Sequence, residues 1–584
     1  MMNMCNSCSN TKDNNINKQN GIKLNKKNCT IITICIFFVF FLSTINNLFK
    51  YIHIKTSRYI LTYSNILYLI SFLSLNKQVE LLIGLDDGIL PIDKYINDLE
   101  KVLKKIDFFF VRRLVYWVYK LWEYAVRNRI KVKTFCKVGI LLSVINFLIQ
   151  KNVQNDFIRI FCSFYLFPLL FILHISFKIV MRDFMVFQCD LLMNEFGFLL
   201  TFLNLSDSYY LIYSNTLIIC LLRLVCFKIL FNSGVHKFVY EGSQWLHLKG
   251  CENLFLCQPL PSILSHIAYC KFDKSIICFL IIISEILSSW LIFCSSKLRI
   301  LFYIIFINIQ ISCHIICNNI FLSYIFIILF FSSFDDSILN LFSTSGNIPD
   351  LYKNNGLANL SIYLIVCLIN IIISLFYLIF VFINFVPFFE KWDILDFQPF
   401  PKVYKLYYYF CPLNICNSYA MLTSTNKYRQ EIVIEELHKI GNEYKWQYVN
   451  FDYKPGNINK IGSILWWGHI PRLEWKFYYF ANYTEYNKKG TYPVYICSFL
   501  KKLYNREKGI LSMFKEKHIQ AVPLMIKLNL HNYKMNIKGC REIDDTPMRA
   551  FPPQECKSWE CGKYWKRREI RVLETLKCKE NKTN

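Results

Sequence analysis

Apolar residues in this chain come in unbroken runs, and that clumping limits the fold more than any other feature. "IITICIFFVFFLSTINNLF" (31–49) and "YILTYSNILYLISFLSL" (59–75) are followed by runs at about 138–150, 157–181, 189–204, 209–231, 274–295, 299–316, 319–334 and 361–387. A continuous apolar run suits a helix in hydrocarbon, where no water satisfies backbone N–H and C=O groups. Hydrophobic residues make up 54% of the 584, too many to be the stripes of one soluble core. The fold class expected is a polytopic α-helical membrane protein with eight to eleven hydrophobic helices. Several runs are too short to cross a bilayer alone.

The polar segments divide the chain. Residues 1–30, with five lysines against one aspartate, read as a disordered basic cytosolic tail. Its Cys5-x-x-Cys8 lacks a second pair and a strand–helix context, so it reads as a chance match. Residues 31–387 form the multi-spanning region, interrupted by polar loops at 76–137 and 232–273. Residues 108–137 carry eight basic residues against one acidic among many aromatics, a composition that lies flat at an interface. The formal charge of +26 sits mostly in tails and loops beside apolar runs, which points to the lipid bilayer as partner and not to nucleic acid.

From 388 to 584 the texture is that of a mostly β soluble domain. "EIVIEE" (431–436), "KWQYVNFDYKPG" (445–456) and "VPLMIKLNLHNY" (522–533) alternate like strands, the last placing Leu524, Ile526, Leu528 and Leu530 on one face. A helical insert is expected near 491–508.

Few residues invite a chemical role. In "PRLEWKFYYFA" (471–481), Arg472 and Glu474 would share one face of a strand. They are either an internal ion pair or part of a client-contact surface, and the same choice applies to Trp475, Tyr478 and Tyr479. Glu195 and Arg223 are charges inside apolar runs, and therefore either a polar pair across two helices or two independent, locally solvated groups near helix ends. Cys251 and Cys257 read as independent thiols. His174 and His314 read as packing residues, and Cys313, His314 and Cys317 offer too few ligands for a metal. H-E-x-x-H, G-x-S-x-G, P-loop and G-x-G-x-x-G motifs are absent from the sequence, and neither a catalytic residue nor a cofactor is expected. Sequons at Asn482 and Asn581 are candidate glycosylation sites if they face a lumen.

In order, several segments resemble the lipase maturation factor family: "LIGLDDGILP" (82–91), "CDLLMNEFGFLLTFL" (189–203), "LLRLVCFKILFNSGVHK" (221–237), "QPLPSILS" (258–265), "FDD" (334–336), "NSYAMLTST" (417–425), "RQEIVIEE" (429–436), "YKPGNINK" (453–460), "PRLEWKFYYFA" and "KYWKRRE" (563–569). One departure is "ENLFLC" (252–257), where Leu254 and Leu256 stand at positions the family keeps polar. The resemblance implies a multi-pass protein of the endoplasmic reticulum membrane whose β-rich domain, 388–584, is lumenal. It implies a chaperone-like, non-catalytic role in the folding, assembly and export of secretory clients, above all dimeric lipases. In an oxidising lumen Cys540, Cys556, Cys561 and Cys578 would form a disulfide framework with three alternative pairings. The alternative is a polytopic enzyme or carrier acting on lipid substrates.

Overall fold

A computed structural model of the protein describes residues 53–103, 109–153, 156–181, 183–203, 209–239, 242–342, 360–391, 410, 413–420, 429–482, 492–514, 521–536 and 560–577. The helical region contains α1 (Ile54–Ile83), α2 (Phe109–Arg127), α3 (Val132–Asn152), α4 (Asp156–Val180), α5 (Gln188–Leu200) and α6 (Tyr209–Val239). It continues with α7 (Gly250–Cys257), α8 (Lys274–Ile286), α9 (Ser296–Phe306), α10 (Ile320–Phe330) and α11 (Leu360–Lys391). Five helical stretches are long and apolar enough to cross a membrane: Ile54–Ile83, Val132–Asn152, Asn215–Lys237, Lys274–Phe293 and Ser296–Ile316. Three shorter apolar helices accompany them among the described residues. The run at 138–150 is therefore longer than its apolar core suggests, because the basic residues at 133 and 137 lie within the first two turns of α3. The runs at 31–49 and in the 1–30 tail lie outside the described residues.

Small and amide side chains bring the first helices together. Gly139 of α3 faces Phe72 of α1 so closely that a Cβ would sit 2.6 Å from the ring. Two turns further along the same seam, Asn146 donates to Asn65 Oδ1 at 2.8 Å and Gln150 donates to Asn146 Oδ1 at 3.0 Å. Asn65 in turn donates to Gln150 Oε1 at 3.3 Å, closing a ring of three buried amides. Without a hydrophobic driving force between helices in lipid, close backbone approach and such amide contacts hold them together. At the start of α1 the carboxylate of Asp336 accepts the backbone N–H groups of Ile54 at 2.7 Å, Lys55 at 3.0 Å and Thr56 at 3.0 Å. Those are orphan donors of a helix N-terminus, and their acceptor comes from the "FDD" segment about 280 residues later.

The C-terminal region is built on one five-stranded antiparallel sheet in the order β2–β1–β3–β5–β4. The strands are β1 (Arg429–Ile440), β2 (Glu443–Val449), β3 (Met525–Met535), β4 (Glu560–Cys561) and β5 (Trp565–Lys577). Between β2 and β3 the chain forms α12 (Arg472–Asn482) and α13 (Val494–Tyr504). The register sets Ile432 opposite Leu530 and Ile434 opposite Leu528. These four, with Ile526, form one apolar core with Phe477, Phe480, Ile496 and Phe499 of the two helices. Leu524 differs from the alternation expected of it: it precedes the strand and is exposed. On the opposite face Val433, Tyr533, Met535 and Trp565 pack with Leu256 and Cys257 at the end of α7. Leu254 packs instead with Trp245 and Phe255. Both leucines that depart from the family's polar pattern are thus buried, which gives apolar residues there a packing reason.

Gly139→Leu is expected to force α1 and α3 apart and to lower stability by about 1–3 kcal/mol, the usual range for overpacking a tight contact. The thermal midpoint of the detergent-solubilised full chain, followed by size-exclusion chromatography, measures it.

Candidate functional site

The sheet region is fastened to the helical region by charges whose partners lie far away in sequence. "PRLEWKFYYFA" is helical, not extended. Trp475 N–H donates to the Pro471 carbonyl at 3.2 Å, and Glu474 falls in the first turn, where an acid favours the helix N-terminus. Arg472 and Glu474 therefore lie on well-separated sides of α12, ~200° apart at 100° per residue, and each has its own partner. The Arg472 guanidinium grips Asp190 of α5 through two parallel bonds of 2.6 Å and donates to the Phe184 carbonyl at 2.8 Å. Arg472 and Asp190 are each 1% exposed. Gln78 of α1 completes the clamp, accepting the Arg472 N–H at 3.1 Å and donating to the Ile470 carbonyl at 2.8 Å.

Glu474 turns the other way and accepts the N–H groups of Tyr453 and Lys454, each at 2.8 Å. Burial pushes its carboxyl up to about 7, against the pull of these two N–H donors. Trp475 sets its ring edge-on to Phe187, centroids 4.5 Å apart, and Tyr478 donates to the Cys257 carbonyl. Both are buried, whereas Tyr479 is exposed. Arg429 anchors the other end of the domain. It donates to the carbonyls of Leu256 and Pro259 at 3.1 Å each and to that of Gln258, and it pairs with Glu431 at 2.5 Å. Lys454 meets the second oxygen of Glu431 at 2.9 Å. The "RQEIVIEE", "YKPG" and "QPLP" segments thus converge on one buried junction.

Inside the helical region Glu195 and Arg223 do not pair with each other; each is buried with its own partner. Arg223 donates to Asp335 at 3.1 Å, and Arg299 reaches the same carboxylate at 2.5 Å. Glu195 is paired with Lys228 and also accepts from Tyr377, from Tyr419 at 2.5 Å and from the Asn417 N–H at 3.1 Å. The physical reason is helical phase. Arg223 and Lys228 are five residues apart on α6, ~140° around its axis, so they face different neighbours. A further buried pair joins Lys237 to both oxygens of Glu285, at 2.7 and 2.6 Å. Asp190, Lys228, Lys237, Glu285, Asp335 and Arg429 were not singled out from sequence. All are charges beside or inside apolar runs or strands, a signal that was present.

The thiols and sequons separate in the same way. Cys251, Cys278, Cys313 and Cys317 share one apolar cluster with Trp245. Cys561 is exposed on β4, while Cys540, Cys556 and Cys578 lie outside the described residues. Asn482 ends α12, its amide donating to the Tyr478 carbonyl at 2.9 Å, and Asn581 lies outside the described residues.

One surface stands apart from this interior. β2 is an edge strand, and Tyr444, Trp446 and Tyr448 project from one side of it, 64%, 44% and 43% exposed. Lys527 lies 5.8 Å from the Trp446 ring centre and Arg567 lies 4.6 Å from that of Tyr448. Rows of exposed aromatics beside cations have the composition of protein-recognition surfaces.

The architecture defines a class: a multi-pass helical membrane protein with a sheet domain fastened to its helices by the buried Arg472–Asp190 pair and by the bonds of Arg429 to the carbonyls of Leu256, Gln258 and Pro259. The model of the lipase maturation factor transmembrane domain matches residues 55–341, and that of the lipase maturation factor C-terminal domain matches residues 415–572. The chain belongs to the lipase maturation factor family. That membership supports a role in lipase maturation. No curated protein and no solved structure matches the chain.

Two outcomes test the site geometry. Arg472→Ala leaves Asp190 buried without its base and is expected to cost about 3–5 kcal/mol, with Asp190→Asn recovering part of the loss in the double variant. Thermal midpoints of the four proteins form the cycle. Glu474 has a folded-state pKa above its unfolded value, so its contribution is fully present below pH ~4.5 and is lost as pH rises through about 7. Glu474→Gln should therefore flatten the fall in thermal midpoint between those values and exceed the parent above them.

Proposed function

We propose that this protein is a non-catalytic factor of the endoplasmic reticulum membrane that helps secretory lipases fold, assemble and leave. In this reading the sheet domain faces the lumen and meets the immature client through the aromatic row on β2. The observation that carries it is that exposed row, Tyr444, Trp446 and Tyr448, three aromatics in line on an edge strand beside Lys527 and Arg567. An edge strand offers unpaired backbone groups as well as side chains, so it suits an incompletely folded subunit with strands and apolar surface still exposed. The Arg472–Asp190 pair and the Arg429 junction tie the domain that bears the row to the helical region. Glu195 has its oxygens taken by Lys228, Tyr377, Tyr419 and Asn417, which favours this reading over a lipid-processing site built around that acid.

Depleting the protein and comparing mass with specific activity for each secreted lipase tests the role. Lipases made in normal amount but retained or inactive are expected, and unchanged lipases overturn it. Replacing Tyr444, Trp446 and Tyr448 together by alanine should reduce co-purified unassembled lipase by about 30-fold, the loss of one interface hot spot of ~2 kcal/mol. The variant's own abundance should not change.

A further inference from the structure

The side of α1 that turns away from the amide ring faces a cleft. Between Arg58 and Lys77 the helix carries 18 residues without a charge, 59–76. At 1.5 Å per residue these span about 27 Å, close to the hydrocarbon thickness of a bilayer. Along that stretch α1 and α10 together line a cleft of about 630 Å³. Tyr63, Ile66, Ile70 and Leu73 form one wall, with Ile327 and Phe331 opposite. Its size is that of a ligand pocket, its lining is almost wholly apolar, and its depth is the depth of the acyl chains.

The cleft has a built end. Trp467 closes it beside Lys77, held in place by the turn that follows. Gly468 has φ +81°, and a Cβ there would lie 3.0 Å from Ile70 and 3.4 Å from Tyr324, so only glycine lets the loop press onto both helices. His469 stacks on Trp467, centroids 4.8 Å apart and planes 12° from parallel, while its Nδ1 is 3.0 Å from Ser74 Oγ. Tyr324 of α10 hydrogen-bonds the Trp466 carbonyl. The exposed Lys77 ammonium sits 5.7 Å from the Trp467 ring centre, at the mouth. An apolar slot ending in an indole and then a cation, at the boundary of the hydrocarbon, complements one chemistry: an acyl chain continued by an anionic phosphate headgroup.

We infer that this cleft binds one chain of an anionic phospholipid, with the headgroup against Lys77 and Trp467. The site is separate from the proposed client row on β2 and does not depend on it.

Full-length protein in phosphatidylcholine nanodiscs, loaded with phosphatidylglycerol bearing a mid-chain diazirine, tests the assignment. After photolysis, adducts mapped by mass spectrometry should concentrate on residues 59–73 and 324–331. The outward row Leu364, Leu368 and Leu375 of α11 supplies the background of ordinary boundary lipid. Leu73→Trp fills the cleft and should bring its labelling down to that background while the α11 signal and the thermal midpoint stay unchanged. Lys77→Gln, at an exposed position, should lower the preference for the phosphatidylglycerol probe over a phosphatidylcholine probe about fivefold, the worth of one lysine near the surface. Equal labelling of cleft and α11, or labelling that survives Leu73→Trp, overturns the chain site. A headgroup preference unchanged in Lys77→Gln overturns the anionic assignment.

Discussion

The bidentate pair of Arg472 with Asp190 fixes how the two halves of the molecule meet. Both groups are out of water, so each needs the other, and the fork geometry of a guanidinium allows little tilt. A buried ion pair adds little net stability compared with apolar residues of the same shape. What it does impose is position: any docking that misses the pair strands a charge in the interior. Gln78, Phe184 and the Trp475–Phe187 contact all assume that α12 lies against α1 and α5 in this one register.

The same logic runs through the helical region. Asp335 holds two arginines, Glu195 holds a lysine and two phenols, and Glu285 holds a lysine. Arg223, Lys228 and Lys237 all lie on α6 and each meets an acid from another segment, so the acids specify which neighbours α6 takes in an environment where apolar surface alone does not discriminate. The "FDD" segment does this twice over, Asp335 binding the arginines and Asp336 the N-terminus of α1. A scaffold whose neighbours are specified in this way suits surfaces that must be presented at a set place on the molecule. The aromatic row of β2 and the Trp467-capped cleft are two surfaces of that kind, the first proposed for client and the second for lipid.

The membrane class, the order of its apolar helices, the strand segments at 431–436 and 522–533 and the helical insert near 491–508 were legible in the sequence. They rest on local rules, run length and two-residue alternation, which need no knowledge of neighbours. The helical state of 472–482 was also written locally, in Pro471 and in an acid in the first turn, but its dense aromatics suggest a strand. Glu195 and Arg223 were recognisable as costly charges in apolar runs. Their partners were not, because which two helices face each other depends on packing and on helical phase, and a difference of five positions along α6 sends Arg223 and Lys228 to different acids.

By itself, then, the sequence determined that the chain spans a membrane, that its C-terminal region carries a sheet and which residues are too polar to stand alone. Only the tertiary structure decided that Arg472 and Glu474 serve separate partners, that Leu254 and Leu256 are packing residues, and that Tyr444, Trp446 and Tyr448 are left outside. Burial is a property of the assembled neighbours: Arg472 and Leu256 find theirs in segments more than a hundred positions away, Glu474 some 20 residues back, and the β2 row stands on the open edge of a sheet.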